Sequence, residues 1–399
     1  MPTEVRVFDR PVLTSLAAAT LLALRPEGAA AQVCRPTVSK PVVVATSEQR
    51  HKAGKLVRPP LTTGFDWPDT PLGVIATGTG YEFFGSDGGY HPRQLWQGAE
   101  SGNDKSGSIT MTVGTLDDPL GSTPPLDASV SANPDPAVDP FYTAYRYMGG
   151  GPVYQVPPGM RDAGSLLATY HAELPDDALY ATLGLAASSD DGAHWTDLGD
   201  VVRLNQAYAR GLDGFEIGDG PLVLSPDGNY FYLYFPDWIA NGTPHATSIN
   251  KVSVARAKVS AVLDAAFHAT PQHAVPFAKF YEGNWTLQPG LGGASSDLNP
   301  NSAYEGYIDV HYDNYIGRYV MLISDDTKFG YAESSDALTW TVPITLGRFG
   351  PIAAYPTAVG LGSDPHTLGQ SYYVYYTHLP TGAPGWASGD VRRLTLSCP

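Results

Sequence analysis

A chain of 399 residues with 43% hydrophobic side chains can bury a large core, and its 24 Tyr and 13 Phe exclude a disordered chain. A net charge of −16 and a pI near 4.9 leave too few cations to neutralise phosphates, so neither nucleic acid nor an anionic membrane surface is an expected partner. Charged residues make up only 16% while Gly (43) and Pro (35) are abundant, which points to a turn-rich β protein suited to a neutral ligand or a hard cation.

Residues 1–31 read as an export signal. Arg6 and Arg10 precede an apolar run from Val12 to Leu24, and Ala29 and Ala31 form a small-residue site with cleavage expected after Ala31. The mature chain, 32–399, is expected to be one domain, secreted to an extracellular or periplasmic space. Its two cysteines, Cys34 and Cys398, stand near its two ends. In an exported chain they are expected to pair, which would tie start to finish as a ring-shaped fold requires. Residues 41–45 could pair with 391–396 at the same join.

Apolar alternation then marks strand after strand. Residues 72–76 lead to 80–85. Residues 121–139, rich in Pro, Ser and Asp, read as a surface loop, and 147–152 as a glycine-rich approach to a first strand. Residues 164–170 and 182–187 precede a turn, 188–195, that ends in Trp195. Residues 221–224, the turn 225–228 and 230–235 form a hairpin. Residues 259–267 alone look helical and are expected outside a blade. Residues 317–324 and 329–333 precede a second Trp-ended turn, 334–340. Residues 357–360 lead to 371–376. Ser188, Asp190, Gly192 and Trp195 resemble the Asp box of β-propellers, a structural turn on the face away from the active site, and 334–340 is a degenerate copy. Five such units predict an all-β, five-bladed β-propeller, closed by pairing of its terminal strands and by a Cys34–Cys398 disulfide.

In a propeller, residues just before a first strand or just after a second strand reach the mouth. Before first strands stand Asp66, Trp67 and Asp69; Glu216 and Asp219; Glu305 and Asp309; and Tyr355. After second strands stand His91; His171 and Glu173; Asp237 and Trp238; Asp325 and Asp326; and His378. Carboxylates, imidazoles and aromatics dominate and Arg is nearly missing, which favours a neutral polyhydroxylated ligand. His311 alternates with strand residues and reads equally as core or as a ligand to a central ion.

Asp219-Gly220-Pro221 and the tyrosine-rich hairpin after it resemble the Glu-Gly-Pro segment of the five-bladed arabinanase/xylosidase-like hydrolases, glycoside hydrolase family 43. Pro68-Asp69-Thr70-Pro71 resembles that group's first-blade motif. The resemblance implies a glycosidase acting on a neutral arabinan- or xylan-like chain. Asp69 would be the general base and Asp219 or Glu216 the acid, with Glu173 and His171 tuning or binding. The family's acid is a Glu, and this chain has Asp219 in its place. The other mouth residues would bind substrate. No cofactor is required on this reading, calcium is the cation an oxygen-rich mouth would suit, and a monomer is expected. The chemistry needs one protonated and one ionised carboxyl group across the scissile bond, with burial or a like charge raising the acid. Two other readings stay open: a non-catalytic carbohydrate-binding propeller using the same rim, and a sialidase-like enzyme suggested by the Asp boxes.

Overall fold

The computed structural model describes residues 33–54, 71–85, 106–121, 126–131, 147–173, 180–208, 216–239, 249–298, 304, 306–383 and 388–399; for Glu173, Glu216 and Trp238 it describes the backbone. The chain starts with β1 (Thr37–Val38), β2 (Val42–Ala45) and the helix α1 (Ser47–Gly54). Blade 1 follows, made of β3 (Gly73–Ala76), β4 (Tyr81–Gly85), β5 (Ser106–Gly114) and β6 (Leu126–Ser131). Blade 2 is β7 (Tyr147–Gln155), β8 (Leu166–Glu173), β9 (Ala181–Ser188) and β10 (His194–Val202). Blade 3 has an inner strand broken into β11 (Glu216–Ile217) and β12 (Leu222–Leu224), both paired with β13 (Tyr230–Ile239). Outside them lie β14 (Ile249–Lys258), the helix α2 (Val259–Phe267), β15 (Ala278–Tyr281) and β16 (Asn284–Pro289). Blade 4 is β17 (Ile308–Asp313), β18 (Arg318–Ser324), β19 (Lys328–Ser334) and β20 (Ile344–Arg348). Blade 5 is β21 (Ile352–Gly360), β23 (Ser371–Leu379) and β24 (Asp390–Ser397), with the short β22 (Thr367–Leu368) reaching over to pair with β17.

The expected five-bladed ring is the fold found, and it closes where expected. Val42 and Val43 pair with Arg393 and Arg392, while Thr37 and Val38 pair with Ser397 and Leu396 on the same strand, β24. The Cys34–Cys398 disulfide locks this join, with Cα atoms 5.7 Å apart. A buried carboxylate adds a clasp that the sequence did not announce. Glu333, 0% exposed, accepts the backbone N–H groups of Val33 (2.6 Å) and Cys34 (2.7 Å) and the Tyr331 hydroxyl (3.1 Å). Glu333→Ala would strand two buried donors and is expected to lower unfolding stability by about 2–3 kcal/mol. A urea midpoint unchanged from wild type would show that the clasp contributes nothing.

The Asp boxes serve the ring as expected. Asp190 accepts from the Ser188 hydroxyl (2.9 Å) and the His194 N–H (3.0 Å), and Asp336 from the Ser334 hydroxyl (2.9 Å) and the Thr339 N–H (2.7 Å). Each turn delivers its Trp onto the second strand of the preceding blade. Trp195 meets Phe84 of β4 edge-on at 5.9 Å, and Trp340 meets Tyr234 of β13 at 6.0 Å. Such aromatic contacts, with the aliphatic side chains around them, form the core in separate clusters between adjoining blades.

Polar clasps at the inner strands join the same blades near the axis. The His171 ring of blade 2 donates to the Ile217 carbonyl of blade 3 (3.0 Å). Asp219 of blade 3 accepts the Ile308 N–H of blade 4 (2.7 Å). Asp309 of blade 4 accepts the Ala358 N–H of blade 5 (2.6 Å). Thr357 of blade 5 accepts the Leu72 N–H of blade 1 (3.0 Å).

Two expectations are corrected. Within 121–139, expected as loop, residues 126–131 form β6, which pairs antiparallel with β5 and parallel with β10 of blade 2. Main-chain pairing decides the matter there, whatever the Pro-rich surroundings. Residues 147–152 are not an approach to a first strand; they lie within the first strand, β7. Its glycines have a packing reason: a Cβ at Gly151 would stand 3.0 Å from the Thr169 carbonyl and 3.3 Å from that of Asp219. α2 forms over Val259–Phe267 as expected and lays Val262, Leu263 and Ala266 into the core.

Candidate functional site

At the junction of blades 2 and 3, the strands run further than their apolar pattern showed. His171 and Glu173 lie inside β8, with Glu173 paired to Tyr147 and Ala181. Asp237 and Trp238 lie inside β13, opposite Ile217 and Glu216. Because His171 Nδ1 donates to the Ile217 carbonyl, Glu173 and Glu216 flank one inter-blade contact, two residues and one residue away from it. In the neutral ring this bond leaves the lone pair on Nε2. Beyond Ile217 the chain kinks: Asp219 and Gly220 have φ of 60° and 75°, which breaks the inner strand into β11 and β12. The kink turns the Asp219 carboxylate toward Ile308, where it is 7% exposed. Asp237 is buried within blade 3, where Oδ2 accepts the Ser295 hydroxyl. Burial also drives the Lys279 ammonium down to about 8, against the pull of Asp237, while its protons go to the carbonyls of Arg203 and Gly293.

Blades 4 and 5 gather a second group. A bulge in β21 between Ala354 and Thr357 holds Tyr355 at φ 53°. Its ring lies 4.1 Å, centroid to centroid, from Tyr307. Tyr307 was not singled out in the sequence, because its strand pattern begins one residue later. Asp326 accepts the Ala353 N–H through its carbonyl (2.5 Å), and Ala353 pairs with His378. Partial burial and the neighbouring Asp325 raise the Asp326 carboxyl above the usual carboxylate range. Asp325 itself is spent on its turn, accepting from the N–H groups of Thr327 and Lys328 and pairing with the Lys328 ammonium at 2.9 Å. Burial and the Arg392 guanidinium lower the His378 imidazole. Asp66, Trp67, Asp69, His91 and Glu305 lie outside the described residues.

On the axis sits a cavity of about 20 Å³, room for one water, lined by inner-strand residues of all five blades and by His366. His311 faces acceptors on both sides: the His366 carbonyl at Nδ1 (3.0 Å) and Asp309 Oδ2 at Nε2 (2.9 Å). Burial works against its charge, but Asp309 and that carbonyl prevail and raise its pKa. Both ring nitrogens of His311 are thus engaged within the protein. Among the described residues no three of His, Cys, Asp and Glu come together as metal ligands.

His366 behaves oppositely. Burial and the His311 charge push it down to about 4, against Asp364. The unfolded chain takes up this proton near pH 6.5 and the folded chain only near 4, so stability falls as pH drops through that window. His311, raised, contributes stability below pH 6.5 that is lost as pH rises through its folded value. His366→Phe is therefore expected to remove about 2–3 kcal/mol of the acid-side loss between pH 6.5 and 4. Urea titrations across that range check it; an acid limb as steep as in wild type would refute the assignment.

No family model matches the chain, and no curated protein does. Among solved structures, the chain is similar to a family 117 glycoside hydrolase of the marine bacterium Zobellia galactanivorans (13% identity, TM-score 0.49, 91% of this chain and 90% of that one). It is also similar to the catalytic domain of a GH62 α-L-arabinofuranosidase of Coprinopsis cinerea (12%, 0.44, 91% and 97%). An exo-β-1,3-galactanase of Phanerochaete chrysosporium matches over 81% of this chain and 59% of its own (12%, 0.44). The structure of this chain is itself the five-bladed propeller that Asp219-Gly220-Pro221 and the Trp-ended turns led one to expect.

Proposed function

We propose that this chain is a secreted glycoside hydrolase cleaving a neutral, arabinan- or xylan-like polysaccharide or oligosaccharide by carboxylate acid–base catalysis. The observation that carries this reading is the His171–Ile217 contact, because it brings the backbones of Glu173 and Glu216 from separate blades to one junction. Two carboxyl groups in one cleft, one kept protonated by the other, are what glycosidic cleavage needs. Glu216 takes the acid role in this reading, since the Asp219 carboxylate already accepts the Ile308 N–H as an inter-blade clasp. Asp69, just ahead of the first blade, is the proposed base, and Glu173 with His171 tunes the acid. The Tyr307–Tyr355 pair would offer ring faces to a sugar. The disulfide supports export, because such bonds persist in oxidising compartments.

The test is turnover of the purified mature protein on arabinans, xylans, galactans and aryl glycosides. Release of reducing sugar from one of them, lost in Glu216→Gln, is the expected result. Binding to a substrate without turnover would favour the carbohydrate-binding reading instead.

A further inference from the structure

A large hollow lies away from the junction of Glu173 and Glu216. It opens on the Asp-box face, where the inner strands of blades 2, 3 and 4 end, and its volume is about 780 Å³. Ser335, from the second Asp-box turn, stands on its rim, as does Ser225 from the turn between β12 and β13. That volume is in the range of small-molecule sites.

The walls are aromatic and held in place. Tyr154 meets Phe231 edge-on at 5.2 Å, and its ring lies 5.7 Å from that of His366 on the floor. Tyr312 packs edge-on against Tyr319 at 5.1 Å and remains 39% exposed, so part of its ring is offered to solvent. The Tyr319 hydroxyl donates to the Leu224 carbonyl (2.8 Å), which fixes that side chain.

The lining chemistry narrows the ligand. Among the described residues no Lys or Arg side chain lines the hollow, so an anion finds no counter-charge there. The one carboxylate among those residues, Asp364, already accepts from the His366 N–H (2.9 Å) and the Thr367 hydroxyl (2.7 Å), so a strong cation finds only a spent acid. What is left is a set of hydroxyls between tyrosine rings.

We propose that the Asp-box face carries a binding site for a neutral oligosaccharide, with the exposed ring of Tyr312 as the stacking platform. The site does not rest on the glycosidase reading, since it lies on the opposite face and shares no residue with that junction. It would hold a chain on the protein whether or not the other face cleaves it.

Calorimetric titration of the mature protein with arabino-, xylo- and galacto-oligosaccharides at millimolar concentration tests this. Four proteins are compared: wild type, Tyr312→Ala, Ser363→Trp and Glu216→Gln. Ser363 is an exposed rim residue, so its Trp variant plugs the mouth without removing a buried contact. Near-wild-type melting of both rim variants shows that they are folded. One sugar is expected to bind wild type and Glu216→Gln alike, and to bind Tyr312→Ala and Ser363→Trp about tenfold or more weakly. Equal binding by all four proteins, binding lost only in Glu216→Gln, or no binding by any sugar overturns the proposal.

Discussion

Replacing Cys34 and Cys398 with alanine is expected to cost about 4–5 kcal/mol of unfolding stability. The bond closes a loop of 364 residues, so cutting it releases nearly the whole chain from its one covalent constraint in the unfolded state. In the folded state the same change loosens the segment that docks Val33 and Cys34 on Glu333 and lays β1 along β24. Guanidinium unfolding of the double variant, beside wild type with and without reductant, measures the effect. Reduced wild type and the variant should coincide. If both unfold at the wild-type midpoint, the pairing of β1 and β2 with β24 closes the ring unaided.

The second large effect concerns turnover. Glu216→Gln is expected to lower kcat on a natural substrate about 10³-fold, the usual worth of a positioned general acid. Aryl glycosides whose leaving group needs no proton should be spared most of that loss. Asp69→Asn, which removes the proposed base, should slow both substrate types alike. Asp219→Asn separates a clasp from a catalyst: it should shift the urea midpoint through the Ile308 bond while sparing kcat. Wild-type rates in Glu216→Gln and Asp69→Asn would remove both residues from the mechanism.

Local pattern was enough to read the blades wherever apolar residues alternate, as at Arg318–Ser324 and Ser371–Leu379. The Trp-ended turns were legible because Ser, Asp and Gly are each needed at fixed spacing. It failed at β6 and β7 for opposite reasons. Ser and Asp around Leu126–Ser131 look like loop, and glycines at 149–151 lack side chains to alternate. Strand ends were also misjudged. His171, Asp237 and His378 are polar, so they read as loop, but their backbones still pair. The mouth assignments followed from assumed strand ends, which is why Asp237 and Asp309 turn out to be buried. The clasps of Asp219 and Asp309 join residues 89 and 49 positions apart, and no local signal encodes such pairs. The hollow beside Tyr312 is likewise assembled from four blades and has no trace in any one of them.

Besides the short β17–β22 pair between blades 4 and 5, one seam of the ring carries a longer main-chain ladder. Blades 1 and 2 share a continuous ladder, because His194, Trp195 and Thr196 run alongside Ser129, Val130 and Ser131. Those two blades must therefore tilt together, as one plate, when the molecule breathes. Slow hydrogen exchange should extend across their common edge, and any widening of the ring must be taken up mainly at joints that lack such a ladder.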